Sequence, residues 1–255
     1  KENSKTFTLN GTLMPLSFPS VERRGRIYID QGDCGCHIYP LLPTARYNYR
    51  KIKSIAVDAG HGGEDPGTIS KFGKLKEKLL TMDVCLRVEK LLKQRGYKVV
   101  LTRTSDRKVP LTERTSIANR AGVDLFVSIH FNSEPSVNAT GIETFVLTPA
   151  NHPSTYQQQQ GPIARLTGNR FDDLNIVLGY CLQSSFVKTT MAADRGVKHS
   201  RFTVLRELRC PGALVECGFL SNASDSKRIA STSYRNKLAE AIANGIIEFN
   251  RMMTK

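Results

Sequence analysis

The chain has 255 residues, 40% of them hydrophobic, and 37 Lys and Arg against 23 Asp and Glu give it a formal net charge of +14. This hydrophobic content is near the globular average and excludes a chain that is disordered throughout. No apolar run reaches the roughly 18 to 20 residues that a membrane span needs, and six cysteines are too few for a disulfide scaffold at this length. We therefore expect one domain with an appendage, or two small domains.

The positive charge indicates an anionic partner without identifying it. A nucleic acid, an acidic membrane surface and an anionic cell-wall polymer all suit a net charge of +14. Residues 1–53 carry +5 of this charge and residues 54–255 carry +9, so the charge is denser in the first segment. The sequence has no helix-turn-helix, zinc-finger or aromatic RNA-binding pattern, and we expect no nucleic acid partner.

Two parts of the chain differ in pattern. Residues 1–53 contain several Pro and Gly residues and alternating stretches such as that at 26–29, which predict a short β-rich N-terminal extension. From residue 54 to residue 255, short apolar runs alternate with helical periodicity, as expected for a single main domain. Residues 149–172 are rich in Pro, Gln and Gly, and this composition predicts a loop or insertion.

The main domain is predicted to be an α/β fold. Strands are predicted at 55–58, 97–102, 125–129, 142–147 and 213–216. Helices are predicted at 79–95, 111–121, 174–190 and 234–252, and a glycine directly follows each of the first two. Strands that alternate with helices in this way predict a mixed or mostly parallel sheet with helices on both faces.

Four polar side chains lie at or just after predicted strand ends or at a helix start, where open α/β sheets bind their ligands. They are His61, Glu77, His130 and Glu216. Two histidines and a glutamate can form a three-ligand zinc site that leaves a fourth position for water, and a further carboxylate is then needed to move protons. Each residue also has an ordinary structural interpretation: a histidine beside a glycine turn often only donates a hydrogen bond, and a glutamate at a helix start interacts with the helix dipole. His152 and His199 have no partner pattern, and we expect neither to bind metal.

Two of the six cysteines are predicted to be structural. Cys85 lies in an amphipathic helix and Cys217 in an apolar strand, so both are expected to be buried thiols. Alternation along the strand should point Cys217 away from Glu216, which argues against a cysteine nucleophile. The sequence leaves open any pairing among Cys34, Cys36, Cys181 and Cys210.

An ordered series of motifs resembles a known enzyme family. The motifs are IAVDAGHGGEDPGT at 55–68, GKLKEK at 73–78, TRTSD at 102–106, SIHFNS at 128–133, DRGVK at 194–198 and VECGFLSN at 215–222. Together they resemble the zinc-dependent N-acetylmuramoyl-L-alanine amidases, the amidase 3 or AmiC-like family, over about residues 55–249. The resemblance implies a twisted sheet of about six strands and a catalytic domain at 54–255.

The resemblance also implies a site and a reaction. One zinc ion per chain would be held by His61, Glu77 and His130, and Glu216 would be the catalytic acid and base. The reaction would be hydrolysis of the amide between N-acetylmuramic acid and L-alanine in peptidoglycan, in wall remodelling, cell separation or lysis. The expected location is the periplasm or the extracellular wall, and the expected partners are peptidoglycan and a protein activator. We expect a monomer without a transmembrane segment.

Three further residues match family positions with weaker implications. Asn132 is expected to orient His130 or to touch substrate. Arg114 is expected either to contribute to the site or to pair with an acid between helix and sheet. Asp58 is expected either to support a ligand histidine or to cap the turn. Two other functions stay open from the sequence: a zinc carboxypeptidase that acts on peptidoglycan stems, and a non-catalytic module that binds the wall.

Overall fold

The N-terminal extension is β-rich, as predicted. The structure is a computed structural model that describes residues 2–156 and 164–254. Strands β1 (Thr6–Leu9) and β2 (Thr12–Pro15) form one antiparallel pair, and β3 (Val21–Arg23) and β4 (Arg26–Tyr28) form another. The chain then makes a helical turn, α1 (Gln31–Asp33), which continues as further short helical turns to Leu41.

Six strands form the central sheet. They are β5 (Ser54–Ala59), β6 (Lys98–Leu101), β7 (Leu125–Asn132), β8 (Ile142–Leu147), β9 (Asp194–Ser200) and β10 (Gly212–Phe219). Their order is β6-β5-β7-β10-β8-β9, and every neighbouring pair is parallel except β10 and β8. The sheet is therefore mostly parallel, which confirms the predicted fold class.

Helices cover both faces of the sheet, as predicted. Helices α2 (Glu77–Gln94), α4 (Asp172–Thr190) and α7 (Thr232–Met252) pack on one face, and α3 (Leu111–Arg120) and the short α5 (Thr203–Arg206) on the other. A further helix, α6 (Ala223–Ala230), precedes α7. The predicted ends of these helices lie within a few residues of the observed ends.

Strand alternation divides the core between the two faces. The buried hydrophobic residues form two clusters, a larger one and a smaller one, on opposite faces of the sheet. In β5, Ile55 and Val57 belong to the larger cluster, whereas Ala56 belongs to the smaller one. The sheet face that carries the smaller cluster becomes polar toward the carboxyl ends of β5, β7 and β10. There, Asp58, His130 and Glu216 follow apolar residues. This alternation brings polar side chains together on one face beside a rigid apolar core.

The extension contributes to the same core as the main domain. Met14 is 0% exposed and Ile52 is 1% exposed, and both belong to the larger cluster. The backbone amide of Leu13 donates to Asp194 Oδ2 at 2.8 Å, which ties β2 to β9. The β1–β2 pair thus packs directly on the edge of the main sheet.

The structure describes only part of the predicted insertion at 149–172. Residues Thr167–Phe171 form a helical turn that leads into α4, and the middle of the insertion lies outside the described residues. Within residues 2–156 and 164–254, no helix is both long and apolar enough to cross a membrane.

Candidate metal centre

The first histidine lies in a sharp turn at the carboxyl end of β5. His61 has φ +60°, and Gly62 and Gly63 follow with φ +126° and +61°. Glycine adopts such positive φ values without a steric penalty, whereas His61 must be held there by its surroundings. The turn directs the imidazole away from the strand and over the sheet edge.

A buried ion pair holds this turn. Arg114 of α3 lies 2.8 Å from Asp58 Oδ1 and also donates to the backbone carbonyls of Ala59 at 2.5 Å and His61 at 2.8 Å. Arg114 therefore pairs with an acid between helix and sheet, one of the two roles expected for it. Because both side chains are almost fully buried, the guanidinium fixes the backbone that presents His61.

Asp58 does not hydrogen-bond to a ligand histidine. Apart from Arg114, it accepts hydrogen bonds from Thr102 Oγ1 at 2.5 Å and Ser128 Oγ at 2.6 Å. The carboxylate beside His61 is instead Asp65, whose Oδ2 lies 2.8 Å from His61 Nδ1. A bond to Nδ1 directs Nε2 toward the site. The sequence analysis missed Asp65, although its position four residues after His61 in the glycine-rich turn was a usable signal.

Glu77 and His130 lie next to His61. Glu77 begins α2, and its Oε1 lies 3.0 Å from His61 Nε2 and 3.1 Å from His130 Nδ1. Backbone amides of Thr68 and Phe131 also donate to Glu77, at 2.9 and 3.0 Å. Burial raises the pKa of Glu77, but hydrogen bonds from His130 and His61 outweigh burial, and the net pKa is lowered. The Glu77 carboxylate is therefore held in its charged form.

Close backbone approach shapes the site around these ligands. A Cβ at Gly60 would lie only 2.6 Å from His130 Nε2 and 2.7 Å from His130 Nδ1. A Cβ at Gly67 would lie 2.6 Å from Glu77 Oε2 and 2.7 Å from His61 Cδ2. Since neither position has space for a side chain, glycine is required at both if His61, Glu77 and His130 are to meet.

Glu216 lies beside the histidines on the same face of the sheet. It pairs in register with His130 of β7, and together with His61 these residues line a cavity of about 400 Å³. Its Oε2 is buried and has no hydrogen-bond partner among the described residues. Burial and the nearby charges of Glu77 and Glu143 raise the pKa of Glu216 well above its usual value. Glu216 is thus a carboxyl group with a high proton affinity at the edge of the site.

A second buried glutamate, which the sequence analysis missed, lies opposite Glu216. Glu143 of β8 pairs in register with Glu216 and is 1% exposed. It accepts hydrogen bonds from Asn132 Nδ2 at 2.7 Å and Arg195 Nε at 3.0 Å. Asn132 was expected to orient His130 or touch substrate, but its side-chain amide donates to Glu143. Periodicity in β8 gave no signal for a buried charge, because Glu143 lies within an apolar strand.

The three donor atoms suit a zinc ion. One ligand atom from each of His61, Glu77 and His130 lies within 4.8 Å of the other two. Ligand atoms around a tetrahedral zinc are roughly 3.3 Å apart, given bonds of about 2.0 to 2.1 Å, and the two distances from Glu77 Oε1 are 3.0 and 3.1 Å. Imidazole and carboxylate donors are also ligands that zinc accepts, and three of them leave a coordination position open.

The other three histidines form a separate buried cluster. The ring of His37 lies 4.6 Å from that of His199 and 5.9 Å from that of His152, between centroids. These residues are not part of the group formed by His61, Glu77 and His130. They join the extension to β9 and to the segment after β8, and burial lowers the pKa of His199 well below its usual value.

Cys85 and Cys217 are buried free thiols, as predicted. All six, each within the described part of the chain, are free thiols. Cys85 and Cys217 are 0% exposed and belong to the larger core cluster, on the sheet face opposite Glu216. Burial raises the pKa of both thiols well above the usual value, which keeps them protonated.

A mostly parallel α/β sheet with a His-Glu-His group and a nearby carboxyl group is characteristic of a single-metal hydrolase. The family model of the N-acetylmuramoyl-L-alanine amidases (Amidase_3) matches residues 55–248. The chain therefore belongs to this family of hydrolases, and the predicted family is confirmed.

Individual relatives agree with this assignment. The chain is 34% identical over 194 residues to the sporulation-specific N-acetylmuramoyl-L-alanine amidase of Bacillus subtilis, covering 75% of this chain and 66% of that relative. It is similar to a crystal structure of an amidase from Clostridium difficile 630, with 33% identity, a TM-score of 0.64 and coverage of 78% and 97%. It is also similar to the CwlD amidase of Clostridioides difficile in complex with the GerS lipoprotein, with 28% identity, a TM-score of 0.64 and coverage of 77% and 98%.

Proposed function

We propose that this protein hydrolyses the amide between N-acetylmuramic acid and L-alanine in peptidoglycan, with one zinc ion held by His61, Glu77 and His130. The convergence of their three donor atoms within 4.8 Å carries the proposal. Family membership supports the reaction, and the open coordination position supports catalysis over a purely structural metal site. When bound, zinc would supply Lewis acidity that polarises the carbonyl and lowers the pKa of water.

The ligands have distinct supporting contacts. Asp65 accepts the Nδ1 proton of His61 and so leaves Nε2 to face the metal. The Phe131 amide holds Glu77 Oε1 in place, and the Thr68 amide holds Oε2. Since these partners fix the orientation of His61 and Glu77, two of the three donors are held in place before substrate arrives.

Glu216 is proposed to transfer the proton. Its carboxylate accepts a proton from the attacking water as the water oxygen bonds to the carbonyl carbon. When the carbon–nitrogen bond breaks, Glu216 gives that proton to the departing amino group of L-alanine. Burial and the charges of Glu77 and Glu143 raise its pKa, which strengthens the carboxylate as a base toward water and lets it hold the proton until the second step.

The location and partners follow from the substrate. We infer that the enzyme acts in the periplasm or the extracellular wall, in remodelling, separation or lysis, and that residues 54–255 form its catalytic domain behind the extension at 1–53. The CwlD amidase was solved in complex with the GerS lipoprotein, which supports the expectation of a protein partner here. We expect the chain alone to be a monomer.

Product analysis tests the proposal. Purified peptidoglycan is digested with the wild-type protein and with Glu216→Gln, and the new chain ends are identified. We expect free lactyl carboxyl groups and new L-Ala amino termini from the wild type, and neither from the variant or after chelation. Release of D-Ala would show a carboxypeptidase instead, and wall binding without turnover would show a non-catalytic module.

A further inference from the structure

The β3–β4 hairpin is an isolated element. Strands Val21–Arg23 and Arg26–Tyr28 pair only with each other, and all six of their residues are exposed. A two-stranded hairpin is at best marginally stable alone in water. The hairpin lies in the extension, outside the residues that the family model matches, and it contains none of the metal-site residues.

The tip of the hairpin concentrates unpaired positive charge. Arg23 and Arg26 lie directly opposite each other in register, where like charges repel. Arg24 and Gly25 form the turn with φ +52° and +73°, so an arginine occupies a position that usually holds Asn or Gly. Within residues 2–156 and 164–254, none of the three arginine side chains has an ion-pair or hydrogen-bond partner. A negatively charged surface would relieve this repulsion.

Apolar side chains lie behind the tip on both faces of the hairpin. Val21, Ile27 and Tyr28 are 42%, 46% and 52% exposed. Cross-strand pairing places Val21 and Tyr28 on the same face as the Arg23–Arg26 pair, and Ile27 on the opposite face.

The distribution of these side chains distinguishes between anionic partners. A protein partner would cover one face of the hairpin, and an anionic polymer would engage the arginines but not Val21 or Ile27. A lipid headgroup layer contacts both faces of a hairpin that lies in it: the long arginine side chains reach phosphates, and the aliphatic and tyrosine side chains on either face enter the same interfacial layer.

We propose that the hairpin at residues 21–28 docks the protein on an anionic phospholipid membrane. The hairpin contains three arginines and a single acid, Glu22, which gives it the charge that such a surface attracts. Docking would hold the metal site close to the membrane surface. The inference does not depend on the proposed hydrolysis, because the hairpin and the metal site share no residue.

Vesicle co-sedimentation tests the docking. The full chain is mixed with vesicles of phosphatidylcholine alone or of phosphatidylcholine with phosphatidylglycerol. We expect binding to the anionic vesicles only. Each arginine contributes about fivefold in affinity near an anionic membrane, so Arg23→Ser/Arg24→Ser/Arg26→Ser should weaken binding on the order of 100-fold. Ile27→Ser/Tyr28→Ser, which leaves the charge unchanged, should also weaken it.

A charge-matched variant provides the control. Lys90, Lys227 and Lys237 are exposed on α2, α6 and α7, and the triple variant Lys90→Ser/Lys227→Ser/Lys237→Ser should keep most of the binding. Equal losses in the two triple variants would overturn the proposal, because net charge alone would explain them. It would also be overturned if the wild type bound no vesicles, or if the hairpin variants lost binding to purified peptidoglycan alone. Hydrolysis of a soluble muropeptide reports separately on the proposed function and should not change in any of these variants.

Discussion

Replacing Gly60 with alanine should disable the metal site through a single methyl group. The new Cβ would lie closest to His130 Cε1 and 2.6 Å from His130 Nε2, whereas ordinary contacts begin near 3.4 Å, so the imidazole must move by about 1 Å. Misplacing a reacting group by roughly 1 Å costs on the order of 100-fold in rate. Since His130 Nδ1 is a ligand atom in the proposed site, we expect a loss of zinc affinity and of kcat/KM of about that size. The same overpacking should destabilise the metal-free fold by about 1–3 kcal/mol.

Competition with a zinc chelator measures the affinity, and urea unfolding of the metal-free protein measures the stability. Gly35→Ala is the matched control, because Gly35 has open space around the added Cβ. It should change neither quantity appreciably. If Gly60→Ala bound zinc as tightly as the wild type, the assignment of His130 as a ligand held against Gly60 would be refuted.

Three further changes test the supporting contacts. Asp65→Ala removes the acceptor beside His61 and should weaken zinc binding about 10- to 100-fold by chelator competition; unchanged affinity would contradict that role. Arg114→Met leaves a buried carboxylate unpaired and should lower the free energy of unfolding by about 3–5 kcal/mol in urea, whereas Arg120→Met, which breaks an exposed pair on the same helix, should change little. The pKa of His199 is lowered from its usual 6.5, so the folded state binds a proton at His199 less readily than the unfolded state. The free energy of unfolding should therefore fall below pH 6.5, by up to about 1.4 kcal/mol per pH unit. Urea unfolding at several pH values should show this slope in the wild type and a shallower one in His199→Gln.

Periodicity predicted most of the fold because the main elements have strong patterns. Strand β5 reads as a short apolar run, and α2 repeats apolar residues at helical spacing before its glycine stop. Strand β9 was missed, since Asp194–Ser200 is largely polar and contains Gly196. It forms the edge of the sheet beside β8, so only one of its sides pairs with the sheet, and its assignment depends on that tertiary pairing.

The sequence predicted the three side chains that converge in the candidate site, but not the contacts that support them. The types of His61, Glu77 and His130 pointed to zinc, but Glu77 and His130 are 53 positions apart, and only the motif series placed them together. Glu143 was not predicted, because a buried acid inside an apolar strand is recognisable only when its partners, such as Arg195, are known. Local sequence patterns identify candidate metal-binding side chains. The contacts that orient these side chains join residues far apart in the chain and form only when the strands and helices pack together.

The zinc content of purified protein tests the metal centre most directly. Zinc is measured by elemental analysis in three proteins dialysed against the same buffer: the wild type, Glu216→Gln and Glu77→Ala. The comparison sets a proposed proton-transfer residue, Glu216, against a proposed ligand, Glu77. We expect about one zinc per chain in the wild type and in Glu216→Gln, and almost none in Glu77→Ala. A full zinc complement in Glu77→Ala, or none in the wild type after zinc is supplied, would contradict the assignment of this site.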